Sequence, residues 1–293
     1  MKTYLDCIPC FFRQALHAAR LATDDPVKQR EVLNRVAIEV PRFPLDATPV
    51  EMGRIIHRTI KEVTGNPDPY ADIKRHYNEL ALRMLPQLRR IVSESRNKLE
   101  TALRIAVAGN IIDLGALTEF NIEESLEHAL SFDFAIFDFD PFLSLLERTE
   151  RILYIGDNAG EICFDLVLVE VLSEMGKKVQ FAVRGVPIIN DVTVEDARFC
   201  GMDRIAEIVD SGSDAPGTIL KYCKPEFVEL FRNSKLIIAK GMGNYETLSD
   251  EEAPIFFLLK AKCPVVAGEL GVKVGDIVFE ASKWLRKNDR ISG

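Results

Sequence analysis

One pattern recurs after Arg151 and does most to limit the fold: a short apolar run that stops abruptly in polar or glycine residues. RILYI runs into Gly156-Asp157-Asn158, KKVQFAV into Arg184-Gly185, AEIV into Asp210-Ser211-Gly212 and KLIIA into Lys240-Gly241. Between the first two lies CFDLVLVEVLSEMGKK, which predicts a helix ending at Gly176. Strands alternating with helices imply right-handed crossovers and a mostly parallel, Rossmann-like α/β sheet with flanking helices. Such sheets bind ligands beyond the carboxyl ends of their strands, so the polar strand ends are expected to converge on one site. The tail AGELGVKVGDIVFE predicts a turn and a strand closing the sheet edge.

The first hundred or so residues carry a different period. Pro9 to Ala22, Val27 to Val40, Thr48 to Thr64 and Pro69 to Met84 place apolar residues three and four apart, as helices with one buried face do. Breaks are expected at Asp24-Asp25-Pro26, Pro41 to Pro49 and Gly65-Asn66-Pro67, and a charged helical stretch runs from Leu85 to about Ala106. The organisation predicted is an all-helical N-terminal region over 1–100 and an α/β catalytic domain over 101–293. With 293 residues and 47% hydrophobic content the chain can bury the core that both need.

A formal charge of −8 argues against nucleic acid as the main partner, since phosphate backbones are held by positive surfaces. No uninterrupted apolar run approaches the ~20 residues of a membrane span. Asp6, Pro9 and Arg13 interrupt the first apolar stretch, against a signal peptide, so a cytoplasmic protein is expected. Six cysteines in a chain this long do not suggest a disulfide scaffold. Cys7 and Cys10 form the one close pair, and two half-buried thiols at a helix start are favoured over a metal or redox role. His17, His57, His76 and His128 all lie outside the strand-end motifs, which disfavours histidine-centred chemistry.

The strand ends supply the candidates. Asp157 and Asn158 offer hard oxygen ligands directly after a buried strand, and the N–H groups opening the next helix can hold an anion. The alternative is an Asp-Asn turn that caps that helix. The motif departs from the GxGxxG dinucleotide fingerprint. In Asn190-Asp191-Val192-Thr193, Asp191 is either a third oxygen ligand or, like Thr193, a helix cap. Lys240-Gly241-Met242-Gly243-Asn244-Tyr245-Glu246 places at a strand end a lysine suited to a transferring phosphoryl group, or else a flexible glycine turn with a solvated lysine. Ala108-Gly109-Asn110-Ile111-Ile112-Asp113 embeds polar groups in an apolar stretch, as a satisfied core network or a pocket wall. The aromatic run Phe132 to Phe142 is expected to pack between layers.

Taken in order, Cys7-Ile8-Pro9-Cys10, Gly109-Asn110-Ile111-Ile112-Asp113, Gly156-Asp157-Asn158-Ala159-Gly160-Glu161, Asn190-Asp191-Val192-Thr193 and Lys240-Gly241-Met242-Gly243-Asn244-Tyr245-Glu246 resemble the DUF89 family of damage-control phosphatases, in its short archaeal type. The resemblance spans nearly the whole chain. It implies a helical region packed on an α/β domain and a metal-dependent phosphatase for small phosphorylated metabolites, sugar phosphates or damaged metabolite phosphates, with manganese, cobalt or nickel favoured and magnesium allowed. Carried over by motif, Asp157, Asn158 and Asp191 would bind the metal. Lys240 would contact the phosphate, Gly241 and Asn244 would shape its cradle, and Asn110, Asp113 and Glu161 would line the substrate pocket. The resemblance leaves open whether water attacks, with Asp157 or Asp191 as base, or Asp157 forms an aspartyl-phosphate. An S-adenosylmethionine-dependent methyltransferase and a non-catalytic metabolite-binding protein are the rival readings. Substrate identity and oligomeric state are not legible in the sequence.

Overall fold

The computed structural model describes residues 1–110, 130–131 and 133–288. Five helices come first: α1 (Cys7–Ala22), α2 (Pro26–Glu39), α3 (Pro49–Thr64), α4 (Ala71–Glu94) and α5 (Lys98–Ala108). Their starts are set by local chemistry. Asp25 accepts from the Val27 N–H ahead of Pro26, and Thr48 with Glu51 closes a capping box around Pro49. Gly65, with φ 75°, stops α3. One boundary differs from the sequence expectation: α4 does not end at Met84 but runs through Pro86 to Glu94. Leu80, Ala81, Met84, Leu85, Leu88 and Val92 are all buried along it, and burying that stripe outweighs a mid-helix proline cost of about 3 kcal/mol.

Seven strands follow: β1 (Phe134–Phe137), β2 (Arg151–Ile155), β3 (Lys178–Val183), β4 (Glu207–Asp210), β5 (Ile237–Lys240), β6 (Ile255–Lys260) and β7 (Ile277–Ala281). The helices among them are α6 (Phe139–Glu147), α7 (Glu161–Glu174), α8 (Val194–Phe199), α9 (Pro225–Asn233), α10 (Gly241–Leu248), α11 (Pro264–Leu270) and α12 (Lys283–Lys287). The strands form one sheet in the order β1-β7-β6-β5-β2-β3-β4, parallel throughout except for the antiparallel β6–β7 pair. The mostly parallel Rossmann-like sheet read from the sequence is therefore present. The tail strand β7, however, does not close an edge. It lies between β1 and β6 with every residue buried, a place its unbroken IVFEA run suits. Strand β6, IFFLLK, went unrecognised because a short apolar run cannot be told from a buried helix by period alone. Of the aromatic run, Phe132 lies outside the described residues. Phe134 and Phe137 stack at 4.5 Å on the edge strand, and Phe142 is buried against Phe256 and Phe279.

Helices α1 to α3 hold their own core of Phe11, Ala15, Val32, Val36, Met52 and Ile56, among others. The apolar faces of α4 and α5 instead join the core that contains Ile152, Tyr154, Phe164 and Phe181 beside α7. The chain runs outward from β2 to β3 and β4, then returns to place β5 on the other side of β2. That reversal opens the sheet between β2 and β5 at their carboxyl ends, where α/β sheets hold their ligands. Among the described residues no helix is long and apolar enough to cross a membrane.

One buried group on α3 makes the fold acid-sensitive. His57 is 3% exposed, its Nε2 has no hydrogen-bond partner among the described residues, and burial pulls its pKa from 6.5 down to about 3. The native state keeps this imidazole neutral while the unfolded chain takes up a proton below pH 6.5. Stability from this residue is complete above that pH and lost as pH falls towards 3, at about 1.4 kcal/mol per unit. Denaturant midpoints measured between pH 7 and 4 should fall, and His57→Phe should flatten the slope.

Candidate active site

Main-chain pairing builds the centre. The Gly156 N–H donates to Ala182 O at 3.0 Å, carrying the β2–β3 ladder one residue on, and the turn then folds back on the loop after β3. The Val192 N–H donates to Asp157 O and the Ala159 N–H to Asn190 O, both at 2.8 Å, so Asn158 and Asp191 stand opposite each other in an antiparallel bridge. Neither Asp157 nor Asn158 caps α7. Its cap position is Gly160, whose own N–H donates to the Asn78 side chain. Asp191 is not a cap either: Thr193 takes that position for α8, with Asp196 accepting from its N–H and hydroxyl.

Side chains then converge. Asn158 Nδ2 donates to Asp157 Oδ2 at 2.8 Å and to Glu161 Oε1 at 2.9 Å, and the buried Asn110 donates to Glu161 Oε2. Gly241, with φ 80°, opens α10 against Asp157, where a Cβ would overlap the carboxylate. Asn244, fully buried, donates to Lys240 O at 2.7 Å and Gly156 O at 3.1 Å, tying the end of β5 to the end of β2. Arg184, 1% exposed, donates through Nε to Asp191 Oδ2 at 2.7 Å and through its other nitrogens to Thr218 Oγ1 and Asn244 Oδ1, both at 3.1 Å. Asp157, Asn158, Asp191, Glu161, Asn110, Gly241, Asn244 and Lys240 thus form one assembly. Asp113 lies outside the described residues.

Lys240 does not sit as the sequence suggested. It is neither solvated nor turned outward towards a phosphate: it is fully buried, with Nζ donating to Ala106 O at 2.7 Å and Asp165 Oδ1 at 2.5 Å, and it lies 3.9 Å from Glu161 Oε2. Tyr154 also donates to Asp165 Oδ1, at 2.7 Å. Burial opposes the lysine's charge, but Asp165 and Glu161 more than offset it, so the ammonium is held above its ordinary range. The helix start offers few free amides for an anion either: the N–H groups of Ala159, Gly160, Ile162 and Cys163 all have internal acceptors.

Negative charge is in excess at this point. Burial, then Glu161 and Asp191, push the Asp157 carboxyl well above the usual carboxylate range, against the opposing charges of Arg184 and Lys262. Burial raises Asp191 to about 6 despite Arg184. Among the described residues no group of three His, Cys, Asp or Glu is arranged to hold a metal ion, and the oxygen donors gathered here are carboxylates and the amide of Asn158. The residues fit a hard divalent cation on that basis: oxygen donors only, carboxylates that repel one another, and a glycine where a side chain would intrude.

Sequence reasoning missed several members. Asp165 and Tyr154 sit within runs that are simply apolar in sequence, and Arg184 was read only as a strand end. Lys262, exposed after β6, carries the same signal as the other strand ends, a polar residue closing an apolar run, and was passed over because β6 was not recognised. One feature lies away from the centre. A cavity of about 510 Å³ lined by Arg151, Lys178 and Arg204 is at the opposite ends of the strands. Cys7 and Cys10 are free thiols, half-buried and exposed respectively, at the start of α1.

Residues 3–278 match the damage-control phosphatase ARMT1-like domain. An uncharacterized protein of Methanocaldococcus jannaschii is 40% identical over 284 residues, covering 94% of this chain and 93% of its own. Two proteins named damage-control phosphatases are similar over nearly their full lengths. That of Pyrococcus horikoshii is 34% identical, covering 97% of this chain and 99% of its own, and that of Archaeoglobus fulgidus is 36% identical, covering 93% and 96%. A crystal structure of a DUF89 family protein from Pyrococcus horikoshii superposes with a TM-score of 0.91 at 34% identity, covering 97% of this chain and 100% of that one.

Proposed function

The chain belongs to the damage-control phosphatase ARMT1-like family, also called DUF89, and on that footing we propose that it is a phosphatase that uses a divalent metal ion to release phosphate from small phosphorylated metabolites. The observation that carries the metal-dependent reading is the excess of carboxylate at the β2–β5 opening. Asp157 and Glu161 are bridged by the Asn158 amide, and Asp191 stands opposite. Asp157, Asn158 and Asp191 would hold the ion, which when bound neutralises phosphoryl charge and polarises a phosphoryl oxygen.

The remaining roles belong to the chain's own residues. Arg184 fixes Asp191 by its Nε bond and is itself fixed by Thr218 and Asn244. Gly241 leaves the Asp157 carboxylate its room. Asn110 orients Glu161, itself buried in the wall of the site, for a substrate hydroxyl. Lys240 acts from beneath, stabilising the charges of Glu161 and Asp165. Lys262, exposed and near enough to act on Asp157, is the cation placed to meet a phosphate arriving from solvent. Asp157 or Asp191 would act as general base, taking the proton of the water that attacks the phosphoryl group, a role suited to carboxyls held above the usual carboxylate range.

The test is release of phosphate from an aryl phosphate by chelator-stripped protein resupplied separately with magnesium, manganese, cobalt or nickel. Hydrolysis that returns only with an ion is the expected result, and sugar phosphates are the substrates to screen next. A folded sample inactive with every ion would move the reading to methyl transfer or ligand binding, and hydrolysis indifferent to chelator would remove the metal. Lys262→Ala should raise KM with a smaller effect on kcat, measured under the same conditions.

A further inference from the structure

Asn78 lies on α4, outside every motif read from the sequence, yet it is 1% exposed and packed against the turn that carries Asp157. Its Oδ1 accepts the Gly160 N–H at 2.6 Å, and its Nδ2 donates to Asp196 Oδ1 at 3.1 Å. Gly160 has φ 79° and ψ −51°, a backbone shape that glycine takes far more readily than other residues. Asp196 closes the start of α8 by accepting from the N–H and hydroxyl of Thr193, at 3.0 and 2.7 Å. It also lies 3.4 Å from the buried Lys74, which pairs with Asp68 at 3.0 Å.

The main chain already joins the two loops at Asp157–Val192 and Ala159–Asn190. Asn78 adds a tie of a different kind, gripping the far end of each loop with one amide. That takes an acceptor and a donor on the same short side chain, which a carboxylate or an apolar residue does not offer. We propose that Asn78 is a positioning residue of the phosphatase site, holding the Asp157–Asn158 turn and the Asp191 loop at one fixed separation through Gly160 and Asp196. The inference rests on the metal-dependent reading above and adds to it a residue from the helical part of the chain.

The experiment is calorimetric titration of manganese ion into the metal-free full chain, comparing wild type, Asn78→Ala and Asn78→Asp, each first shown to be folded by its denaturant transition. Asn78→Ala removes both ties. Asn78→Asp keeps the size and the acceptor for Gly160 but loses the donor and faces Asp196 with like charge. Both should bind the ion about 10- to 100-fold more weakly, the range for losing a partner that orients metal ligands. In Asn78→Ala the amides of residues 157–161 should also exchange with deuterium faster. Should Asn78→Ala fail to fold, Asn78→Asp decides. Binding equal to wild type in either folded variant would overturn the inference and leave Asn78 as a core residue. A wild-type chain that takes up no divalent ion would overturn the metal-dependent reading itself, and the inference with it.

Discussion

Replacing Asp157 by asparagine should abolish divalent-ion binding and lower phosphate release by about 10²–10³-fold or more, the scale seen when one pre-placed electrostatic group is lost, while leaving the protein folded. The reason is local. Among the described residues Asp157 donates nothing to the core and accepts a single side-chain hydrogen bond, from Asn158, while Glu161 and Asp191 repel its charge. Without a cation this carboxylate is a burden on the fold, so Asp157→Asn should be at least as stable as wild type in metal-free buffer. A residue whose removal ends activity without weakening the fold is held for function at the expense of stability. Denaturant unfolding and ion titration on the same sample check both halves. A variant that loses stability and keeps its ion would place Asp157 in the scaffold instead.

The second large effect is at Lys240, and it concerns stability. Lys240→Met removes the cation that faces Asp165 at 2.5 Å and Glu161 at 3.9 Å inside a buried network whose Asp165 Oδ2 already has no hydrogen-bond partner among the described residues. Breaking a buried pair from one side typically costs about 3–5 kcal/mol, because the remaining charge stays out of water. Urea unfolding at pH 7 should show that loss, and Lys240→Met with Asp165→Asn should recover much of it. The pH dependence has a definite sign. Burial raises Asp165 to about 6 even with the lysine present, so its carboxyl takes up a proton readily as pH falls below that value, and the penalty in Lys240→Met should shrink from pH 7 to pH 5. Full stability with lost turnover would instead return Lys240 to direct contact with the phosphate.

The contrast between these two residues shows where sequence was a sufficient guide. Asp157 and Asn158 follow β2 directly, so period and position placed them at one end of a parallel sheet, while Asp191 lies further along the loop after β3 and is brought to them by main-chain pairing. Lys240 also ends a strand, but its direction was decided by Asp165, which the helix after β2 carries beneath it. No local pattern in CFDLVLVEV marks that aspartate as the partner of a lysine seventy-five residues on. Asn78 was hidden for the same reason, since its amide has meaning only once α4 is laid against the Gly160 turn. Arg184 was visible as a strand end, yet its grip on Asp191, Thr218 and Asn244 depends on two loops and a helix that are separate in sequence. The helical period survived Pro86 because a long apolar stripe continued on both sides of it, whereas β6 was lost because five successive apolar residues have no period at all.

Manganese soaked into crystals of the protein, located by its anomalous scattering, tests the central claim most directly. One strong peak is expected at the β2–β5 opening within bonding distance of Asp157, Asn158 and Asp191, absent in Asp157→Asn. A peak elsewhere in crystals of active protein, with none at these three residues, would contradict it.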